Sequence, residues 1–123
     1  MSNQDVFNLT PLCLLEHLEK EFLEAIPVEI LTIEDMEDAA KRLARLSNNY
    51  SYLVSLLAYA KIMTREAKRS GNKISHEDCV DKKEVIQNIT DAVKQLYAAT
   101  SRAVTIHMEN NMELRMNTEG KIR

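Results

Sequence analysis

Two pairs of potential metal ligands occur at helical spacing in this chain. Cys13 and His17 are four residues apart, and His76 and Cys79 are three residues apart. Each pair would place two ligands on one face of a helix, and together they would supply the donors of a tetrahedral zinc site. The opposing interpretation is that cysteine serves as a small buried apolar side chain. Because the loop-borne ligand spacings of structural zinc sites are missing, the sequence predicts no metal site.

Paired carboxylates offer a second kind of chemistry. Glu34 with Glu37, and Asp78 with Asp81, have the spacing by which all-α nucleotide pyrophosphohydrolases hold magnesium. Both pairs lie at expected helix starts, however, where the helix dipole favours acidic side chains. Two glycines exclude a glycine-rich phosphate loop, and nothing places a Ser or Cys beside a His as an activated nucleophile. We therefore expect no catalytic residue, no cofactor and no enzymatic activity.

A third group of chemically relevant residues is basic. Lys61, Arg65 and Lys68 follow one another at helical spacing, and Arg69 and Lys73 come next in the chain. These side chains could neutralise phosphates while a nearby tyrosine stacks on a base, which would make a nucleic-acid or nucleotide site. The alternative is a solvated helix end whose bases complement the helix dipole.

The charge of the chain is unevenly distributed. Residues 1–38 hold ten acidic residues and one lysine, a net charge of −9, whereas residues 39–123 hold nine acidic and fifteen basic residues, a net charge of +6. Such separation indicates either a basic binding face or two parts of the chain that attract each other. Two cysteines, no signal-peptide pattern and no apolar run of membrane length predict a cytoplasmic protein without membrane contact.

The elements that must position these residues are helices. Only two prolines occur, and the alternating apolar runs that are typical of strands are absent. Thr10 and Pro11 mark the start of a short helix, and Pro27 ends it. Residues 1–31 are therefore expected to form an acidic arm with one short helix.

Two long helices are predicted after this arm. A capping-box pattern begins at Thr32 and a glycine stop follows at Gly71, which predicts a helix over residues 32–70. A second capping-box pattern begins at Ser75 and predicts a helix over residues 75–116. The hydrophobic staple pairs expected around the two boxes are Leu31 with Met36 and Ile74 with Cys79.

The predicted fold is all-α, with one domain over residues 1–123. A short N-terminal helix accompanies a long antiparallel helical hairpin of helix-bundle or coiled-coil type. The first long helix carries two apolar stripes, and the short helix, at roughly 20 Å, covers about a third of its length. We therefore predict an exposed interface, although cover by the short helix is the competing interpretation. The interface residues are Tyr52, Leu56, Tyr59, Met63 and Tyr97.

Two segments resemble small helical accessory proteins of phages and prophages of Gram-positive bacteria. They are SYLVSLLAYAKIMTREAKR and DAVKQLYAATSRAVTIHMENNMELRMN, and the likeness extends over roughly residues 35–117. The resemblance implies a phage context in the cytoplasm of a bacterial host. It further implies a protein that binds and inhibits or titrates a host component, such as a defence protein, and it carries over no catalytic residue.

The preferred functional hypothesis is a non-enzymatic interaction protein that forms a homo-oligomer through the face of Tyr52, Leu56, Tyr59 and Met63 and occupies a host protein. Its acidic arm could mimic nucleic acid against a basic partner. The alternative hypothesis is nucleic-acid or nucleotide binding through the basic cluster, which predicts a steep dependence on salt.

Overall fold

Four helices account for almost all of the described chain. The computed structural model describes the backbone of residues 2–23 and 33–122, and the side chains of all of these except 33 and 113–122. No strand occurs among these residues, so the predicted all-α class is confirmed. The helices are α1 (Asn3–Phe7), α2 (Pro11–Phe22), α3 (Ile33–Ser70) and α4 (Lys73–Ile122).

The predicted antiparallel hairpin is formed by α3 and α4, which pack against each other along their lengths. Their 38 and 50 residues correspond to about 57 Å and 75 Å of helix. Gly71 ends α3 in the left-handed conformation, with φ at 74°, and its N–H donates to the Lys68 carbonyl oxygen at 3.2 Å. The last helix continues to Ile122, beyond the predicted end at residue 116.

The start of α4 differs from the prediction. The helix begins at Lys73, and the side-chain oxygen of Asn72 accepts a hydrogen bond from the Ser75 N–H at 3.2 Å. Asn72 is therefore the residue that caps the helix, a position that asparagine occupies as readily as serine. Ile74 is 82% exposed whereas Cys79 is buried, so the predicted staple between them is wrong.

The N-terminal arm contains two helices where the sequence predicted one. Ser2 caps α1 through a reciprocal capping box, in which the Ser2 hydroxyl accepts from the Asp5 N–H at 3.2 Å and the Asp5 carboxylate accepts from the Ser2 N–H at 3.3 Å. Thr10 caps α2 as predicted, with Pro11 as its first residue. The predicted helix end at Pro27, the capping box at Thr32 and the staple residue Leu31 lie outside the described residues.

The core of the hairpin is a seam of side chains that recur every seven residues. This spacing is typical of helices that pack side by side with coiled-coil geometry. All members of the seam are buried: Ala39, Leu46, Leu53 and Ala60 on α3, and Cys79, Ile86, Val93 and Thr100 on α4.

Candidate functional site

One face of the hairpin is covered by α1 and α2. The Phe7 ring meets the Tyr59 ring edge to face at a centroid distance of 5.5 Å. The Phe22 ring stacks on Tyr52 at 5.2 Å. Burial raises the pKa of the Tyr52 hydroxyl above its ordinary value. Leu56, between the two tyrosines, is fully buried.

These contacts correct the predicted interface. Tyr52, Leu56, Tyr59 and Met63 belong to an intramolecular interface, because two N-terminal helices, rather than one, lie along their stripe. The sequence predicts only one short helix before α3, which would cover less of this stripe than α1 and α2 together do. Tyr97 is different: it lies on α4 and remains 42% exposed.

A buried lysine joins α1 to the hairpin. Lys82 is 7% exposed, and its ammonium donates to the Phe7 carbonyl oxygen at 2.6 Å. The same ammonium lies 2.8 Å from an Asp78 carboxylate oxygen and 5.0 Å from the centre of the Phe7 ring. A cleft of about 480 Å³ opens beside these contacts, under the end of α1. Because the Lys82 ammonium is already bonded within the chain, this cleft offers no free cation from it to a ligand.

The opposite face of the hairpin is left open by α1 and α2. We define this open face by four rows of side chains, two on each long helix, in which residues recur every seven positions. On α3 the rows are Ala40, Ser47, Val54, Lys61 and Lys68, and Leu43, Tyr50, Leu57 and Thr64. On α4 they are Lys73, Val80, Gln87, Lys94, Ser101 and Met108, and His76, Lys83, Thr90, Tyr97 and Val104. Two surface grooves show that these four rows share one side, since each is lined by residues of both helices. Large apolar side chains on this face are exposed to solvent: Val54 by 44%, Tyr97 by 42% and Met108 by 55%.

The groove near the middle of the open face has the chemistry of an anchor site. It encloses about 240 Å³ and is lined largely by apolar atoms of Ser47, Tyr50, Lys94 and Tyr97. Two tyrosines from opposite helices provide ring surface with a hydroxyl at one end, a combination that is frequent at protein interfaces. Lys94 adds an exposed ammonium at the same place. The arrangement can bury one apolar side chain and pair with one neighbouring carboxylate.

The predicted basic cluster is exposed at the closed end of the hairpin. Lys61 and Lys68 lie on the open face, and Arg65 lies beside them on the same helix. Lys68 and Lys73 line a second groove of about 260 Å³ together with His76. Arg69 is paired with Glu66 at 3.5 Å, on a surface where such a pair contributes little. The structure therefore brings Lys61, Lys68 and Lys73 onto one face and leaves Arg69 outside it.

The two pairs of potential metal ligands do not come together in the described structure. Cys79 is buried in the seam of the hairpin, whereas Cys13 is exposed on α2. In the described part of the chain, no three or more His, Cys, Asp or Glu side chains are grouped so that they could hold a metal ion. Burial, and secondarily the Asp78 carboxylate, raises the pKa of the Cys79 thiol, although Lys82 acts in the opposite direction. A neutral, buried thiol is a packing group rather than a nucleophile.

Several residues of the open face were missed by sequence reasoning. Ser47, Tyr50, Val54 and Lys94 were not proposed as site residues, although the signal was available. Tyr50 lies in the apolar stripe of α3. It does not belong to the buried seam, however, but to the neighbouring row of residues with seven-residue spacing. Side chains in a row beside a two-helix seam can keep part of their surface exposed, as Tyr50 does.

None of the helices, over the residues that the structure describes, combines the length and apolarity needed to cross a bilayer. Comparison of the chain with protein-family models, with curated proteins and with solved structures finds no match.

Proposed function

We propose that this chain is a non-enzymatic helical protein that acts by binding another protein through the open face. The observation that carries the proposal is the asymmetry of the hairpin. One face is covered by α1 and α2, while the other leaves Tyr97, Val54 and Met108 exposed along a single side. Exposed apolar side chains that share one side of a folded surface mark an interaction site more often than an isolated exposed side chain does.

The covered face supports the proposal because it shows which kind of element packs on the hairpin of α3 and α4. Two leucines of α2, Leu14 and Leu18, are spaced one turn apart and are both fully buried. The α2 helix makes its most extensive packing with α4. The open face is lined by the same two helices, so an amphipathic helix with similar spacing is the partner shape that fits it.

The resemblance to phage accessory proteins supplies the context of the proposal. In that context, the partner is a protein of the bacterial host, and occupying it inhibits or titrates it. A defence protein is one such target. Formation of a homo-oligomer is also part of the proposal. The face predicted for it, that of Tyr52, Leu56, Tyr59 and Met63, is occupied by α1 and α2 of the same chain.

Site-specific photo-crosslinking in host cells tests the proposed function. A benzophenone amino acid is placed at position 97 of the full chain, and at Lys41 in a matched control. Lys41 is exposed on α3 in the heptad row of Ser55, which contacts α1 through Asn3. We expect one host protein to be captured from position 97 only, and its purified form to bind wild type but not Tyr97→Glu. Capture of nothing at position 97, or of the same proteins from both positions, would contradict the proposal.

The second candidate function is nucleic-acid or nucleotide binding at the closed end of the hairpin. It is favoured by the exposure of Lys61, Lys68 and Lys73 on one side, with no described ion pair to neutralise them. The test is the affinity for a labelled oligonucleotide at rising salt concentrations. Binding should weaken steeply with salt and be lost on simultaneous reversal of Lys61, Arg65 and Lys68 to Glu. An affinity that stays constant with salt would exclude this reading.

A further inference from the structure

We propose that the partner of the open face is an acidic amphipathic helix. One apolar side chain of that helix fills the groove of Ser47, Tyr50, Lys94 and Tyr97, and a carboxylate one turn away pairs with Lys94. This inference rests on the proposed function and specifies the chemistry of the partner.

The charge of the open face carries the first part of the argument. Its four rows contain Lys61, Lys68, Lys73, Lys83 and Lys94, and no aspartate or glutamate at any position. None of these lysines makes an ion pair with a described residue. A face with one sign of charge attracts a surface of the opposite sign and repels one of its own. The complementary partner is therefore acidic.

The groove carries the second part of the argument. Its lining includes Tyr50 from α3 and Tyr97 from α4, and its volume of about 240 Å³ suits one aliphatic or aromatic side chain. On a helix, residues three or four positions apart lie on one side. An anchor residue in the groove would thus bring a carboxylate of the next turn to the exposed Lys94 ammonium. A buried anchor with a charged rim is the arrangement in which few residues supply most of the binding energy.

The same charges argue against a second copy of the chain as the occupant. In a two-fold symmetric dimer, each surface meets its own equivalent, so the lysines of one open face would confront those of the other. Unpaired like charges at an interface cost free energy and steer the copies apart. The positive charge of the open face therefore favours an acidic helix of another protein over a second copy of this chain.

Two synthetic peptides of about 18 residues, long enough to form a helix, provide the probes. Both carry leucines and one phenylalanine on a single face; the remaining positions are Glu in one peptide and Lys in the other. Fluorescence anisotropy with the full chain should show that the Glu peptide binds more tightly than the Lys peptide, by at least about tenfold. Lys94→Glu should weaken binding of the Glu peptide by about tenfold or more, whereas Lys41→Glu should change it by less than about twofold. Circular dichroism of each variant confirms that the helices are retained.

Equal binding of the two peptides, or equal effects of Lys94→Glu and Lys41→Glu, would overturn the inference. A dimer that Tyr97→Glu dissolves in sedimentation experiments would also overturn it, because the second copy would then be the occupant. These failures are separate from failure of the proposed function. If position 97 captures a host protein whose binding is insensitive to Lys94→Glu, the acidic helix is wrong and the protein-binding role stands. If no protein is captured, both fall.

Discussion

Replacing Lys82 tests whether the N-terminal helices are held on the hairpin by one buried cation. Its ammonium donates to the Phe7 carbonyl oxygen and lies over the Phe7 ring, so a single side chain connects α4 to the end of α1. Lys82→Met keeps most of the buried stem and removes the charge. We expect the variant to fold with a lower free energy of unfolding and with α1 and α2 less firmly attached.

The contacts set the magnitude of the expected loss. A hydrogen bond from a charged donor contributes roughly 1.5–3 kcal/mol, and the cation–π contact adds roughly 0.5–1 kcal/mol. The ion pair with Asp78 adds little, because the side chain of that residue is 43% exposed. Removing a buried charge also recovers its desolvation cost, which offsets part of the loss. The net expectation is about 2 kcal/mol, equivalent to a decrease in Tm of roughly 6–12 °C for a chain of this size.

Urea denaturation and native-state hydrogen exchange measure the two parts of this prediction. Lys83→Met is the matched control, since Lys83 is the next residue, is half-buried and makes no described ion pair. In Lys82→Met, the amides of α1 and α2 should exchange faster, while the centres of α3 and α4 lose protection only in step with global stability. If Lys82→Met and Lys83→Met have equal stability, or if exchange in α1 and α2 is unchanged, the lysine does not hold the arm.

Four further experiments report on the turn, the seam and the covered face. Gly71→Ala should lower the free energy of unfolding, measured by urea denaturation, by about 1 kcal/mol, because φ is positive at this residue. No steric cost is added, since a Cβ at this position meets no atom within 4 Å. An unchanged free energy of unfolding would contradict the left-handed turn. Cys13 should react at once with a thiol reagent at neutral pH and Cys79 only as the protein opens, so equally fast reaction of both would contradict burial. The pKa of Cys79 is raised above its ordinary value of 9.0 in the folded state, so the folded protein should lose stability as pH rises from 9.0 through the higher folded value. Below pH 9.0 this stability is fully present. Cys79→Ala should reduce the loss. A double-mutant cycle of Phe7→Leu and Tyr59→Leu should give a coupling of about 0.5–1.5 kcal/mol, whereas zero coupling would mean that their ring contact does not stabilise the arm.

The hairpin could be predicted from the sequence because its signals are local. Gly71 stops one helix, and no proline after Pro27 interrupts either of the long ones. Local signals failed where two of them compete: Asn72 and Ser75 are both good capping residues, and only the geometry after Gly71 selects the first. The helix α1 also had a readable signal, the Ser2 and Asp5 capping box, but five residues are too few to show periodicity.

The cover of the second stripe could not be predicted, because it depends on contacts between residues far apart in sequence. The apolar spacing of Tyr52 and Tyr59 is the same whether a partner or the chain's own arm packs on them. The outcome is decided by the turn after α1, which brings Phe7 to Tyr59 and lets α2 run back to place Phe22 on Tyr52. The open face could not be predicted for the same reason, since the exposure of Tyr97 follows only once the covered face is known.

The described contacts of α1 and α2 bear on the two meanings of the charge separation. If the acidic arm were held by attraction to the basic part of the chain, the carboxylates of α1 and α2 would pair with bases of the hairpin. In the described structure they form no such ion pair, and the one cation that joins the arm to the hairpin, Lys82, binds a backbone carbonyl oxygen. The remaining contact comes from apolar side chains, Leu14 and Leu18 among them, and from the Asn3 amide, which donates to the Ser55 hydroxyl at 3.4 Å. No carboxylate of α1 or α2 therefore neutralises a lysine of the open face in the described structure, and this is the charge on which the proposed acidic partner depends.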